Sequence, residues 1–187
     1  MVPSIDKDNQ ALRDLALSAC ESLGITHGVC HVEVRIDRMG VPFLIEVAAR
    51  PGGDGIMDQV ERAYGINLYD LHIRSYLGTL RGIPGSPQLL GVSAIAFMQT
   101  RKGLIHEVSS PIQLPKEVVS LYITGRKGGI VGDSLNYDDR VGTVEFFWPG
   151  ETANLGRKHL EMADTLAGDK ELSLTSDFGC EIFLCRN

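Results

Sequence analysis

The chain has 187 residues, with 18 lysines and arginines against 24 aspartates and glutamates and a formal net charge of -6 at pH 7. That length allows one large domain or two small ones with a core that folds without staples, and the acidic balance argues against a nucleic-acid or anionic-membrane surface. The four cysteines, Cys20, Cys30, Cys180 and Cys185, show neither C-x-x-C nor zinc-ligand spacing, no apolar signal segment opens the sequence and no apolar run reaches membrane-spanning length, so reduced thiols and a cytoplasmic location are the expectation.

In chain order, Leu12, Leu15, Ala16, Ala19 and Leu23 recur at helical spacing, which predicts an amphipathic helix from about Asp8 to Leu23 with Gly24 as its stop. His27 falls in the loop that follows. The stretch Val29 to Ile36 then alternates strictly: Cys30, Val32, Val34 and Ile36 on one face, Val29, His31, Glu33 and Arg35 on the other. After the turn Asp37-Arg38-Met39-Gly40, a second strand puts Phe43, Ile45, Val47 and Ala49 on one face and Leu44, Glu46, Ala48 and Arg50 on the opposite one.

If these strands form an antiparallel hairpin, the two apolar rows must share a side, because a one-residue slip turns one row out to solvent. Pairing Ile36 with Phe43 satisfies this and sets Glu33 directly across from Glu46. At about 5 Å and an effective dielectric of about 20, two facing carboxylates repel by roughly 3 kcal/mol. Water, Arg35 reaching diagonally to Glu46, or a bound cation can relieve this. The first two describe a solvated hairpin face; the third is a magnesium site, for which one or two carboxylates completed by water and phosphate oxygens are the usual ligands. Arg50 continues the polar face, and Pro51-Gly52-Gly53-Asp54-Gly55 lets backbone N–H groups approach an anion. The loop is not a P-loop, since no Gly-Lys-Ser/Thr follows. His31 reads as a polar-face residue beside the site, with a ligand role as its alternative.

Asp54 is the expected N-cap of a helix carrying Ile56, Val60, Ala63 and Tyr64 and ended by Gly65, with its positive end towards any phosphate. Asn67 and Asp70 resemble a capping pair opening a second helix with Leu68, Leu71, Ile73, Tyr76 and Leu77. On that helix Tyr69 and His72 either pack or reach substrate. Gly82, Pro84, Gly85 and Pro87 mark a loop and subdomain boundary. Strands are expected at Gly91 to Met98, with Leu104 to Val108 as its partner, at Val118 to Thr124 and at Thr143 to Trp148. A helix is expected from Glu151 to Leu166, and an edge strand or a tail beyond Leu172. No internal repeat and no ordered Ser/His/Asp motif is present.

The run HVE, a short hairpin and LIEVAARPGGDGI resembles the C-terminal portion of an ATP-grasp domain, most like the carboxylate-amine (amino-acid) ligase branch. GVSAIAFMQTRKGLI and DDRVGTVEFFWPGET resemble, more weakly, the antiparallel part that follows it. The resemblance implies ATP-dependent activation of a carboxylate as an acyl phosphate, attack by an amine, and the cofactors ATP and Mg2+. It implies Glu33 and Glu46 as metal ligands, Arg50 as the catalytic residue stabilising the acyl phosphate or the transferred phosphoryl group, and Gly52, Gly53 and Asp54 as the nucleotide-side loop. Many ATP-grasp enzymes carry Asn two residues after the second glutamate, where this chain has Ala48.

The expected fold is therefore α+β: the C-terminal half of an ATP-grasp fold, an antiparallel sheet flanked by helices over residues 1–80, and a further antiparallel β-rich subdomain with a late helix over 81–187. The family's N-terminal lobe has no counterpart, so the chain is expected to be a fragment, inactive alone, whose partners are that missing lobe and small-molecule carboxylate and amine substrates, with no nucleic acid and no membrane; a homodimer stays open. Two alternatives also stay open: a non-catalytic ATP-grasp-like binding or assembly module, and a fragment of a biotin carboxylase-like or phosphoribosylglycinamide synthetase-like enzyme.

Overall fold

Leu12, Ala16 and Cys20 recur every four residues, and in the computed structural model, which describes residues 10–82, 88–98, 102–108, 113–132, 140–150 and 179–184, they are the buried stripe of α1 (Gln10–Ser22). The helix stops as Gly24 dictates. Gly24 has φ 69° and donates its N–H to the Glu21 carbonyl at 2.9 Å, and Ile25 donates to Cys20 at 3.0 Å, the paired bonds by which a left-handed residue closes a helix. The expected helical residue Leu23 thus lies past the last turn, 63% exposed, and Ile25 packs on the core in its place.

β1 (Val29–Ile36) and β2 (Pro42–Ala48) form the expected antiparallel hairpin. Its turn is drawn tight by Asp37, whose Oδ1 accepts the N–H groups of Met39 and Val41, both at 2.8 Å, while the Asp37 N–H donates to the Val41 carbonyl at 3.0 Å. Ile36 therefore pairs with Pro42, not with Phe43 as expected, followed by Arg35 with Phe43 and Val34 with Leu44. A β-bulge then leaves Ile45 without a cross-strand partner, and the ladder resumes with Glu33 opposite Glu46, Val32 opposite Val47 and His31 opposite Ala48. The turn closes one residue early and the surplus residue emerges as the bulge. In consequence Phe43 and Ile45, expected in the core, are 53% and 51% exposed, and of that row only Val47 packs against the α1 cluster of Cys30, Val32 and Val34.

The other face of β1 is not uniformly polar. Val29 is fully buried against Met57, Leu68 and Leu71, which come from α2 (Ile56–Tyr64) and α3 (Leu68–Tyr76). α3 opens as expected, the Asn67 side chain accepting the Asp70 N–H at 2.8 Å. With α1 on one side of the strand and α2 and α3 on the other, β1 begins as a doubly covered strand and opens to solvent only towards the hairpin turn.

The second unit is built on β3 (Gly91–Met98), β4 (Gly103–Leu104), β5 (Val118–Ile123), β6 (Ile130–Val131) and β7 (Gly142–Pro149). β7 is the middle strand of an antiparallel sheet in the order β3-β7-β5, and β4 pairs with β6 in a short ribbon. The expected pairing of Gly91–Met98 with residues 104–108 is thus replaced: β3 lies against β7, and Leu104 faces Ile130. β7 alternates buried and half-buried residues along its length, and Val144, Phe146 and Trp148 pack with Ala94 and Ala96, the two large rings stacked 5.4 Å apart and 8° from parallel. The expected helix at 151–166 and the residues before Gln10 lie outside the described residues.

β8 (Gly179–Leu184) returns to the first unit and pairs antiparallel with β1, from Val29 opposite Leu184 to Val34 opposite Gly179. The first sheet has the order β2-β1-β8. The chain divides into Met1–Gln88 with Leu174–Asn187, and Leu89–Ser173; the expected division placed the last segment with the second unit. Among the described residues no helix is long and apolar enough to cross a membrane.

Candidate functional site

The site is assembled at the end of the β1–β2 ladder away from the turn. Glu33 and Glu46 are direct cross-strand partners, Glu33 half-buried and Glu46 exposed. Two rungs further from the turn, His31 is 9% exposed opposite Ala48. Among the described residues neither glutamate side chain has an ion-pair or hydrogen-bond partner. The bulge places Arg35 across from Phe43 instead of Leu44, and no ion pair links Arg35 to either carboxylate. Of the three ways to relieve the facing charges, water and a cation remain. Among the described residues no group of three or more His, Cys, Asp or Glu is gathered that could hold a metal.

Beyond Ala48 the backbone turns sharply, the Arg50 N–H donating to the Ala48 carbonyl at 2.8 Å. The exposed Arg50 guanidinium makes a local bond, Nη1 to the Pro51 carbonyl at 3.0 Å. Gly52 is buried where a Cβ would meet the Met57 methyl at 3.2 Å and Ile56 Cδ1 at 3.4 Å, whereas Gly53 faces open space. Asp54 is not the N-cap of α2 as expected. It has φ 53° and is followed by Gly55 at φ 73°, which is the capping residue and supplies no side-chain bond. Two successive left-handed residues turn the chain within the loop, and the helix begins one residue later than the capping pattern implies, with the Ile56 N–H bonded to the Gly53 carbonyl at 3.0 Å.

One feature of the site's support is absent from the sequence patterns. Val29 donates its N–H to His72 Nδ1 at 3.0 Å, and Gly28 donates to Ser75 Oγ at 2.9 Å. α3 therefore holds the start of the strand that carries Glu33. Accepting at Nδ1 leaves the His72 proton on Nε2, and its ring lies 5.0 Å from that of Tyr76. His72 is thus a packing residue, whereas Tyr69, 46% exposed, stands on the outer surface of α3. No short-range signal could have revealed this, since the partners lie 43 and 47 residues apart.

A helix-flanked antiparallel hairpin running into a glycine loop, followed by a second antiparallel sheet, is consistent with part of an ATP-grasp fold, and the solved structures that superpose on this chain have that fold. The L-amino acid ligase of Bacillus licheniformis matches with a TM-score of 0.71 and 18% identity over 96% of this chain and 43% of its own. Phosphoribosylglycinamide synthetase of Anaerococcus prevotii gives 0.58 and 16% over 89% and 39%, and biotin carboxylase of Campylobacter jejuni 0.56 and 17% over 97% and 37%. In sequence, carnosine synthase 1 of Gallus gallus is 34% identical over 95 residues, covering 49% of this chain and 10% of that protein. No family model matches. The chain is therefore similar to carboxylate-amine ligases of the ATP-grasp type and spans less than half the length of each of these proteins.

Proposed function

We propose that this chain is the C-terminal part of a magnesium- and ATP-dependent ligase that activates a carboxylate as an acyl phosphate and joins it to an amine, the missing lobe over ATP being supplied by the rest of the same parent protein. The observation that carries the reading is the pairing of Glu33 with Glu46 across a hairpin whose second strand runs into Arg50 and the glycine loop. Two carboxylate groups with water and phosphate oxygens are an ordinary ligand set for Mg2+, so the residues present fit that ion, and Ala48 adds no further oxygen. Bound there, Mg2+ would neutralise and orient the phosphate oxygens of ATP.

The chain's own residues have complementary tasks. Glu33 and Glu46 hold the cation on a ladder stiffened by α1 on one side and α3 on the other. Arg50, exposed and among the described residues bonded only to the next residue's carbonyl, swings towards the acyl phosphate or the phosphoryl group in transit. Gly53 leaves room for backbone N–H groups of the Gly52–Asp54 segment to approach an anion at close range. Phosphoryl transfer demands positioning and charge neutralisation more than covalent help, and this set supplies both. A cytoplasmic setting with free nucleotide belongs to the same reading.

A second reading, a non-catalytic ATP-grasp-like binding or assembly module, is favoured by Ala48 at the position where many of these enzymes have Asn. Calorimetric titration of the chain with Mg-ADP, using Glu33→Gln/Glu46→Gln as control, tests the site. Heat that the double variant lacks supports a metal-nucleotide half-site; equal heat from both chains would remove the two glutamates from the role.

A further inference from the structure

We propose that the β-bulge at Ile45 is a positioning element for Glu46, an inference that rests on reading Glu33 and Glu46 as a cation site. The bulged residue immediately precedes Glu46 and interrupts the ladder between the Val34–Leu44 and Glu33–Glu46 pairs. Two hairpins without a bulge were open to this sequence. Had the register set by the Asp37 turn continued, Val32 would face Glu46, and the carboxylate would enter the layer of Cys30, Val32 and Val34 beneath α1. Had the turn been one residue longer, Ile36 would face Phe43, Glu33 would still face Glu46, and the Phe43, Ile45, Val47 row would lie on the core side together.

The second alternative is the better one for apolar burial, yet the chain does not adopt it. It leaves Phe43, Leu44 and Ile45 at 53%, 42% and 51% exposure. Hydrophobic patterning therefore does not account for the bulge. What a bulge does locally is bend its strand, increase the twist and redirect the neighbouring side chain, which is why bulges collect beside functional groups. Here the neighbour is Glu46, while its partner Glu33 projects from the regular middle strand of the sheet. The relative direction of the two carboxylates is set at that point of the backbone, and Mg2+ is strict about ligand geometry. The Ile45 side chain itself has no part in this; the surplus residue does.

Three variants of the 187-residue chain separate the possibilities, with Mn2+ as the probe, its affinity read by electron paramagnetic resonance, and cross-strand nuclear Overhauser contacts between residues 33 and 46 reporting register. Deleting Ile45 and, in a separate chain, deleting Leu44 each remove the surplus residue, and both preserve the Glu33–Glu46 pairing, with Leu44 or Ile45 opposite Val34. Ile45→Ala keeps the bulge. The expected result is that both straightened chains retain the cross-strand contacts but bind Mn2+ about tenfold more weakly or worse, while Ile45→Ala binds within about twofold of wild type.

Wild-type affinity in the straightened chains overturns the proposal. So does loss of the 33–46 contact in both, because the bulge would then serve the fold alone, and so does an equal loss in Ile45→Ala, which would transfer the role to the side chain. A wild-type chain that binds Mn2+ no better than Glu33→Gln/Glu46→Gln refutes the cation site itself, and that outcome is recognised by the absence of any wild-type signal to lose.

Discussion

Glu46→Gln is expected to stabilise the metal-free chain and to destabilise it, relative to wild type, once Mg2+ and nucleotide are present. Directly opposed residues in an antiparallel pair have Cβ atoms about 4.5–5.5 Å apart. Two unit charges about 5 Å apart repel by roughly 0.8 kcal/mol at the dielectric of water and roughly 3 kcal/mol at an effective value of about 20. Glu46 is exposed and Glu33 half-buried, which puts the pair near the watery end, about 1 kcal/mol. For a chain of this size that corresponds to a rise in midpoint of about 2–4 °C. The chain's only tryptophan, Trp148, belongs to the core of the second unit, so its fluorescence does not report the unit that carries the pair. Hydrogen exchange of the Val32 and Val34 amides in EDTA, and again in Mg-ADP, is the appropriate measurement. A variant whose protection in EDTA is unchanged or reduced would refute the facing-charge argument, and protection that rises equally in both chains with Mg-ADP would refute the cation assignment.

Three further outcomes test the architecture. Ser75→Ala, which removes the acceptor for the Gly28 N–H, should cost about 1–2 kcal/mol of stability in urea unfolding followed by circular dichroism, and His72→Leu a similar amount through the Val29 N–H; no change would mean that water replaces both acceptors. Asn67→Ala deletes the cap at the Asp70 N–H and should cost about 1 kcal/mol, with Asn67→Asp restoring most of it in the same assay. Phe146→Ala removes a fully buried ring stacked on Trp148 and should cost about 3–5 kcal/mol, visible as an earlier tryptophan-fluorescence transition, while exchange of the β1 amides stays at wild-type levels if the two units unfold separately.

Several features needed nothing beyond local pattern. The alternation of Cys30, Val32 and Val34 with His31 and Glu33 defines a strand with one side for a helix. Leu12, Ala16 and Cys20 define that helix, and Gly24 and Asn67 punctuate the chain where left-handed geometry and a capping amide are required. Each of these follows from forces between residues close in sequence. The opposition of Glu33 and Glu46 was expected from the register that pairs Ile36 with Phe43, which the chain does not adopt; the pair forms because the bulge at Ile45 restores it.

What the tertiary structure decided lies in competition between such local rules. The Asp37 turn and the apolar row of β2 ask for registers one residue apart, and only the assembled sheet shows that the turn prevails, with Ile45 expelled as a bulge and Phe43 left in solvent. Arg35 is thereby carried away from its expected diagonal to Glu46. The hold of His72 and Ser75 on the start of β1, the burial of Val29 on one face of that strand and Cys30 on the other, and the return of β8 to the same strand all join segments far apart along the chain. Periodicity registers which side of a strand is apolar, but the partner that covers it is chosen by chain closure and burial of the whole unit, whose free energy no local window contains.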